Sequence, residues 1–342
     1  MKIKMKKEGL TPGKCVRRFF LCIGIVFVSA IVFLYGAVLR INYGPSPAAR
    51  NLFVMTVMET SAAKFLATSF FSTEEIQTFI AANSPQEFDS EMDLSKIEIP
   101  TEPSSETEQP TEQTEQDIEI VDIKTDDYSG KMMIVKDPSR VFVGASGSFG
   151  SEQKGLKLVD LCKKYGAVAG VNAGGFQDDA GGGKGGEPLG FVISQGQILA
   201  GNDGKAYDLI GFDKNNFLIL KTMTADEAIS LGIRDAVTFK PRLVLNGEGA
   251  KISGSGGGLN PRTAIGQRAD GAVLLLVIDG RQVTSLGASY QDLVDVMLQF
   301  GAVNAANLDG GSSTLMVNNN EILNTCASLY GPRRIPDAFL VK

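Results

Sequence analysis

Apolar and polar positions divide this chain into three regimes. The first is FFLCIGIVFVSAIVFLYGAVL, Phe19 to Leu39, 21 residues without a charge, matching the ~20 residues a helix needs to cross a hydrocarbon core. Lys14, Arg17 and Arg18 and a Lys-rich start precede it, so the positive-inside rule assigns residues 1–18 to the cytoplasm. Everything after Leu39 is then outside, on a single-pass plasma-membrane protein. The run exceeds the about 7–15 apolar residues of a cleaved signal peptide, which favours an uncleaved anchor over residues 19–39. Residues 40–83 continue with apolar positions at helical spacing in SPAARNLFVMTVMETSAAKFLATSFF and STEEIQTFIAAN. Ser72 with Glu75 three residues later is a capping box, so this stretch predicts a membrane-proximal helical module.

The second regime, residues 84–117, contains PSSETEQPTEQTEQ and has too few apolar residues to support a core. It predicts a disordered, self-repelling acidic linker. The third, residues 118–342, consists of short β-rich runs: IEIVDI, KMMIVK, RVFVGA, AVAGVNA, LGFVIS, LIGF, FLILK, RLVLN, AVLLLVID, STLMV and AFLV. Helical patterns stand out near Leu156–Tyr165, Ala225–Leu231 and Tyr290–Phe300. The fold expected is α+β (mixed α/β), with large β-sheets and a few helices.

Charge sharpens this division. The net charge of −6 comes from +6 over residues 1–18 and −13 over residues 84–127, leaving +1 for residues 128–342. The acidity belongs to the linker, and nothing in the folded part points to nucleic acid. The chain has no histidine and no tryptophan. Any general base is therefore Asp, Glu, Lys, Tyr or Cys, and His-ligated zinc is excluded. Cys162 and Cys326 fall on the outer side, where a disulfide is permitted; two free thiols are the plainer reading.

Four glycine-rich clusters sit at strand ends, where loops hold ligands on a rigid scaffold. GVNAGGFQDDAGGGKGGEPLGFVIS contains Asn172 and Glu187, and lacks the spacing of a phosphate-binding Walker loop. GSGGGLNPRTAIG fixes Arg262 just beyond Pro261, at the entry to a strand, as a candidate bidentate grip on phosphate. LLLVIDGRQ closes an apolar strand with Asp279, which an Asp-Gly turn alone would also explain. NAANLDGGSSTLMV places Asp309 at a strand tip beside Gly310 and Gly311, with Ser312 and Ser313 as hydroxyl donors.

In order, GVNAGGF, EPLGFVIS, PRTAIG, IDGRQ, NAANLDGGSSTLMV and PRRIPDAFLV resemble the motifs of the phosphodiester glycosidase family. The similarity runs from about Gly170 to the C-terminus, and more loosely from Ile118. Two departures are the order Asn-Ala-Gly-Gly-Phe in the first motif and Ser312 where a glycine is usual. The resemblance implies hydrolysis of sugars linked through C1 to a phosphodiester, on cell-envelope or exopolysaccharide glycans. It points to Asn172, Glu187, Arg262, Asp279, Asp309, Gly310, Gly311, Ser313 and Arg333 as pocket residues. Departure of a phosphate monoester needs little protonation, which suits a site without histidine. Arg262 and Arg333 would meet the phosphate, assisted by Ser312, Ser313 and the Gly310 and Gly311 amides. Asp309 and Glu187 are the candidate bases or nucleophiles, and Asp279 would orient sugar hydroxyls or a cation. No cofactor is required, while a divalent cation, calcium or magnesium, is left open by these hard carboxylate oxygens. Two other classes stay open: a non-catalytic phosphoglycan-binding protein, and a metal-dependent phosphodiesterase that breaks P–O.

Overall fold

In a computed structural model, the structure describes residues 12–60, 63–99, 117–178, 183–328 and 330–342. Pro12–Asn42 form one helix, α1. Its Phe, Ile, Val and Leu side chains from Phe19 to Leu34 are exposed on every side, and among the described residues it alone is long and apolar enough to cross a membrane. A helix apolar all round needs an apolar surrounding.

Three short helices follow. In α2 (Pro47–Met58) the Ser46 hydroxyl accepts from the Ala49 N–H at 3.2 Å and Pro47 occupies the first helical position, both of which pre-organise a helix start. After α3 (Phe65–Thr68), α4 (Thr73–Ala82) opens on the reciprocal Ser72–Glu75 box expected from the spacing. Val54, Val57, Ala67, Phe71 and Ile76 give these helices a small core of their own.

Residues 84–99 differ from the expected spacer. Pro85 bridges to Ile252, the Gln86 N–H donates to the Lys251 carbonyl at 3.0 Å, and the Glu98 N–H donates to the Ala269 carbonyl at 2.8 Å. The reason is the apolar minority within this stretch: Phe88 and Met92 pack against the domain and Ile97 is buried. The more polar remainder of the linker, residues 100–116, lies outside the described residues.

The rest of the chain is built on three antiparallel sheets. The first has the order β1-β2-β13-β12-β14-β10-β11, with β1 Ile118–Lys124, β2 Ser129–Val135, β10 Arg242–Leu245, β11 Glu248–Gly249, β12 Arg262–Arg268, β13 Val273–Ile278 and β14 Ala302–Leu308. The second, β16-β15-β4-β17-β3, uses β3 Val141–Ala145, β4 Ala169–Asn172, β15 Met316–Asn318, β16 Glu321–Ile322 and β17 Asp337–Val341. The third, β6-β5-β9-β7-β8, uses β5 Val192–Ser194, β6 Gln197–Ala200, β7 Tyr207–Asp213, β8 Leu218–Met223 and β9 Ile233–Thr238. Their inner faces share one core, to which Val273, Leu275, Phe339, Phe212 and Val237 all contribute.

A helix covers the outer face of each sheet: α5 (Leu158–Tyr165) the second, α6 (Ala225–Ser230) the third and α7 (Tyr290–Gln299) the first. This layering explains the unbroken apolar run of β13. Val273, Leu275 and Val277 face the common core while Leu274, Leu276 and Ile278 face α7, so period two is apolar on both phases. Cys162, buried beneath the second sheet, and Cys326 are free thiols; burial pushes the Cys162 thiol up to about 11.

Candidate active site

Strands β12 and β14 pair with Thr263 opposite Leu308 and Ala264 opposite Asn307. Side-chain alternation then puts Arg262, Asn307 and Asp309 on one face, the face that α7 covers through Ala264 and Ala305. Beyond the helix, at the strand ends, lies a cavity of about 730 Å³ bordered by Asn307, Asp309, Gly310 and Gly311. Arg262 and Tyr290 form a second side, the stretches 189–190, 206–208 and 238–240 near the third sheet form another, and Met58, Glu59 and Lys64 from the N-terminal helices complete the border.

Asp309 is held by its backbone from β4. Its N–H donates to the Ala173 carbonyl at 2.9 Å, and its carbonyl accepts from Asn172 Nδ2 at 2.5 Å. Asn172 Oδ1 accepts in turn from Thr263 Oγ1 at 2.8 Å and the Leu315 N–H at 3.0 Å. Every polar atom of this buried amide is thus spent on fixing the turn, and Asn172 acts as a clamp on Asp309. The Asp309 carboxylate keeps some surface toward the cavity but lies deep in the fold. Desolvation raises its pKa to about 6, against the opposing pull of the Ser313 hydroxyl, the Arg333 charge and the Gly310 N–H.

The Gly310 and Gly311 amides are both engaged within the fold. Gly310 N–H serves the Asp309 carboxylate, and Gly311 N–H donates to the Pro261 carbonyl at 2.8 Å. Gly311 sits at φ +60, where side chains are disfavoured, and an added Cβ there would come within 3.2 Å of Arg281 Nη2. The two glycines therefore allow a close backbone approach; their N–H groups, expected to face a ligand, are used internally.

Arg262 is buried and its donors are engaged. Nε donates to the Ala288 carbonyl at 3.0 Å, Nη2 to the Gly257 and Gly258 carbonyls at 2.9 and 3.1 Å, and Nη1 to Glu59 Oε2 at 2.5 Å. The guanidinium stacks 4.3 Å from the Tyr290 ring centroid. Burial alone would lower its pKa, yet Glu59 and Tyr290 together hold it above the usual arginine value. Glu59 receives two further bonds, from the Tyr290 hydroxyl at 3.0 Å and Asn260 Nδ2 at 3.1 Å. A carboxylate from the end of α2 thus sits on a ready-made anion-binding set. Beside it, Arg281 Nη2 donates to Thr60 Oγ1 at 2.8 Å and Asn260 Oδ1 at 3.0 Å; burial, partly offset by Glu59, lowers its pKa.

The remaining expected residues fall into two groups. Arg333 lies behind Asp309, forked onto Asp178 at 2.7 and 2.8 Å and reaching Ser312 Oγ at 3.3 Å; the Asp178 bond raises its pKa. Glu187 is exposed on the loop before β5, and neither it nor Asp279 is among the described residues bordering the cavity. Asp279 Oδ1 instead accepts from Asn324 Nδ2 at 3.2 Å and the Thr325 N–H at 2.9 Å, pinning that loop. Among the described residues no group of three or more acid or cysteine side chains converges on a metal-sized site.

The structure adds residues that the motifs did not mark out. Glu59 and Tyr290 come from helices with no site signature, and only tertiary packing brings them to Arg262. Asn307 and Asp337 lie within quoted motifs, but their types are common in strand ends. Asp337 is fully buried. Its Oδ1 accepts from the Gly174 N–H at 2.6 Å, one residue from the Ala173 carbonyl that binds Asp309. Desolvation and the neighbouring Asp309 push its pKa up to about 7, against the Gly174 bond.

Residues 165–342 match the profile of the family described as phosphodiester glycosidase. An SPbeta prophage-derived uncharacterized protein of Bacillus subtilis (strain 168) is 29% identical over 183 residues, covering 49% of this chain and 27% of that protein. The N-acetylglucosamine-1-phosphodiester alpha-N-acetylglucosaminidase of Mus musculus is 25% identical over 218 residues, covering 57% of this chain and 40% of that enzyme. The chain thus spans well under half the length of these curated relatives. Among solved structures, the zebrafish N-acetylglucosamine-1-phosphodiester alpha-N-acetylglucosaminidase catalytic domain, auto-inhibited by its pro-peptide, superposes with a TM-score of 0.53 at 23% identity, over 66% of this chain and 81% of that one. The two share a fold.

Proposed function

Because the chain belongs to the phosphodiester glycosidase family, we propose that its cavity hydrolyses the bond between the anomeric carbon and the phosphate oxygen of a sugar 1-phosphodiester. The observation that carries this reading is Asp309: a carboxylate of pKa about 6, clamped from behind and open in front to a cavity large enough for a sugar phosphate. In a chain without histidine, such a group is poised near neutral pH to take a proton from water or to attack the anomeric carbon. The C1–O pair leaves with the phosphate monoester, water supplies the new oxygen on C1, and its proton passes to Asp309. Ser313, Gly310 and Arg333 act on Asp309 itself, keeping enough of it ionised despite burial.

Phosphate charge is met on the opposite side. Arg262, Tyr290 and Asn260 are the anion set, with the exposed Lys64 and Lys240 also bordering the cavity. Glu59 now holds the place of a phosphate oxygen. The zebrafish relative is auto-inhibited by its pro-peptide, and the same logic gives α2 here the part of an internal cap that a phosphodiester displaces. The mouse relative's name specifies an α-linked N-acetylglucosamine 1-phosphodiester; sugars of this class on envelope or exopolysaccharide glycans are the substrates proposed. Helix α1 would anchor the domain outside the plasma membrane.

Hydrolysis in ¹⁸O-labelled water tests the reading, with the methyl phosphodiester of α-N-acetylglucosamine 1-phosphate as probe. Label in the sugar is expected. Label in the phosphate would establish P–O cleavage and a phosphodiesterase, and saturable binding with no product would establish a non-catalytic binding module.

A further inference from the structure

The outer end of α1 is tied to the helices that border the cavity. Tyr35 lies inside the apolar run that closes at Leu39, about 6 Å of helix short of its end, and its ring packs against Phe70 with 6.1 Å between centroids. Tyr43, just past the helix, meets the Phe70 and Phe71 rings at 6.3 and 6.0 Å, and its hydroxyl donates to the Phe70 carbonyl at 3.1 Å. With α1 in a bilayer, these contacts hold Phe70 at the outer membrane boundary, where tyrosine rings bridge lipid and water. From there the chain leads straight back to the cavity. Residues 64–71 are wound by helical backbone bonds, from the Thr68 N–H to the Lys64 carbonyl at 2.9 Å and from the Phe71 N–H to the Ala67 carbonyl at 3.0 Å. The helical rise from Phe70 back to Lys64 covers only roughly 9 Å, and Lys64 borders the cavity.

The helices are also bolted to the sheets. Thr56 Oγ1 accepts from the Leu259 N–H at 3.1 Å, and the buried Asn83 accepts from the Ser255 N–H at its Oδ1 and from the Gly257 N–H at its carbonyl, at 2.7 and 3.1 Å. The cavity therefore has a set position relative to α1, with part of its border close to the bilayer surface. That border carries apolar side chains that a small polar leaving group would not use. Met58 and Leu189 belong to it, Leu189 is 50% exposed, and Phe65, next to Lys64, is 61% exposed. Exposed Lys64 and Lys240 stand among them, a mixture of cation and apolar surface that suits a lipid interface.

We propose that the phosphodiester cleaved here joins the sugar to a lipid alcohol of the membrane, so that the products are the free sugar and the lipid monophosphate. This rests on the hydrolytic reading for the bond broken and on the anchoring of α1 for the position of the cavity. The sugar and phosphate enter the cavity, and the lipid chain leaves it past Met58 and Leu189 toward the bilayer. Water supplies the new oxygen on C1, and the C1–O pair departs with the lipid phosphate. A glycan polymer farther out in the envelope would instead call for a domain held away from the membrane.

The test places the full chain in lipid-bilayer discs and offers three phosphodiesters of α-N-acetylglucosamine 1-phosphate: to methanol, to farnesol and to the 6-hydroxyl of a methyl glycoside. Turnover is read as release of free sugar, and binding by calorimetry against discs without protein. A buried methylene is worth about fourfold, so the farnesyl diester should exceed the methyl diester by at least about tenfold in kcat/KM. Leu189→Ser should reduce that ratio by roughly three- to tenfold, and Phe65→Ser is a second variant with the same expectation. If neither variant lowers the ratio, the preference is mere partition into the bilayer and the inference is overturned. It is also overturned if the farnesyl diester is not preferred or the glycoside diester is favoured, with hydrolysis left standing. Tighter binding of the farnesyl diester that Leu189→Ser weakens, without turnover of any of the three, upholds the lipid and refutes hydrolysis; equal binding or none, without turnover, overturns both.

Discussion

Ser313→Ala is the sharpest probe of how Asp309 is tuned. Burial raises this carboxyl to about 6 from its ordinary 3.8, and the Ser313 hydroxyl opposes the rise. A hydrogen bond to a charged acceptor is worth ~1.5–3 kcal/mol, or about one to two pH units. Removing the hydroxyl therefore moves the titration from about 6 to between about 7 and 8. With an ionised Asp309 required, wild-type kcat/KM should fall about tenfold between pH 7 and pH 5. At pH 6, where the wild type is half ionised, the variant should be slower by roughly five- to fiftyfold, and by pH 9 the two rates should approach one another. The assay is release of a phosphate monoester from a sugar 1-phosphodiester across pH 5–9. A loss of equal size at every pH would refute the reasoning, because it would mean that Ser313 touches substrate or the fold and not the ionisation of Asp309. Stability has a defined sign as well. A carboxyl whose folded pKa is raised contributes stability below its unfolded value and loses it as pH rises through its folded value. The urea midpoint of Ser313→Ala should thus fall further below wild type at pH 8 than at pH 5.

Three other predictions follow from the same geometry. Glu59→Gln weakens the contact with Arg262 and should lower KM about tenfold; a loss of kcat at unchanged KM would make Glu59 part of the chemistry and not a cap. Asp337 has a folded pKa of about 7 and is fully buried, so Asp337→Asn should relieve a cost that approaches ~4 kcal/mol at pH 8 and shrinks toward pH 5. Chemical denaturation at both pH values reads this, and an equal effect at the two would contradict an ionisation cost. Asn172→Ala leaves the Asp309 carbonyl, the Thr263 hydroxyl and the Leu315 N–H without their partner. At ~1–3 kcal/mol each it should destabilise by at least ~3 kcal/mol, and a change below ~1 kcal/mol in denaturant titration would show that the clamp carries no energy.

Much of the architecture could be read from local pattern, because its causes are local. Helices α4, α5, α6 and α7 stand where apolar spacing and caps predicted them. Strand β13 is recognisable because both of its faces are covered. Strand β9 escaped notice because Arg234 and Asp235 interrupt it; they pair with each other, and Arg234 also donates to the Val141 carbonyl at 2.9 Å, so two charges sit in a strand without disrupting it. The acidic stretch misled in the opposite way. Its composition is that of a spacer, yet Phe88, Met92 and Ile97 suffice to fasten residues 84–99 to the domain.

The candidate site divides along the same line. Residue order alone marked Asp309, its glycines and Arg262, since strand ends and turn chemistry are written in neighbouring residues. It could not show that Arg262 meets Glu59 from 203 positions away, or that Asp337 lies against Gly174 from 163 positions away. Ionisation and donor supply depend on which groups burial brings together, and burial is a property of the packed sheets. Sequence therefore named the acid and the arginine; the tertiary structure decided what charge the one carries and which donors the other has left.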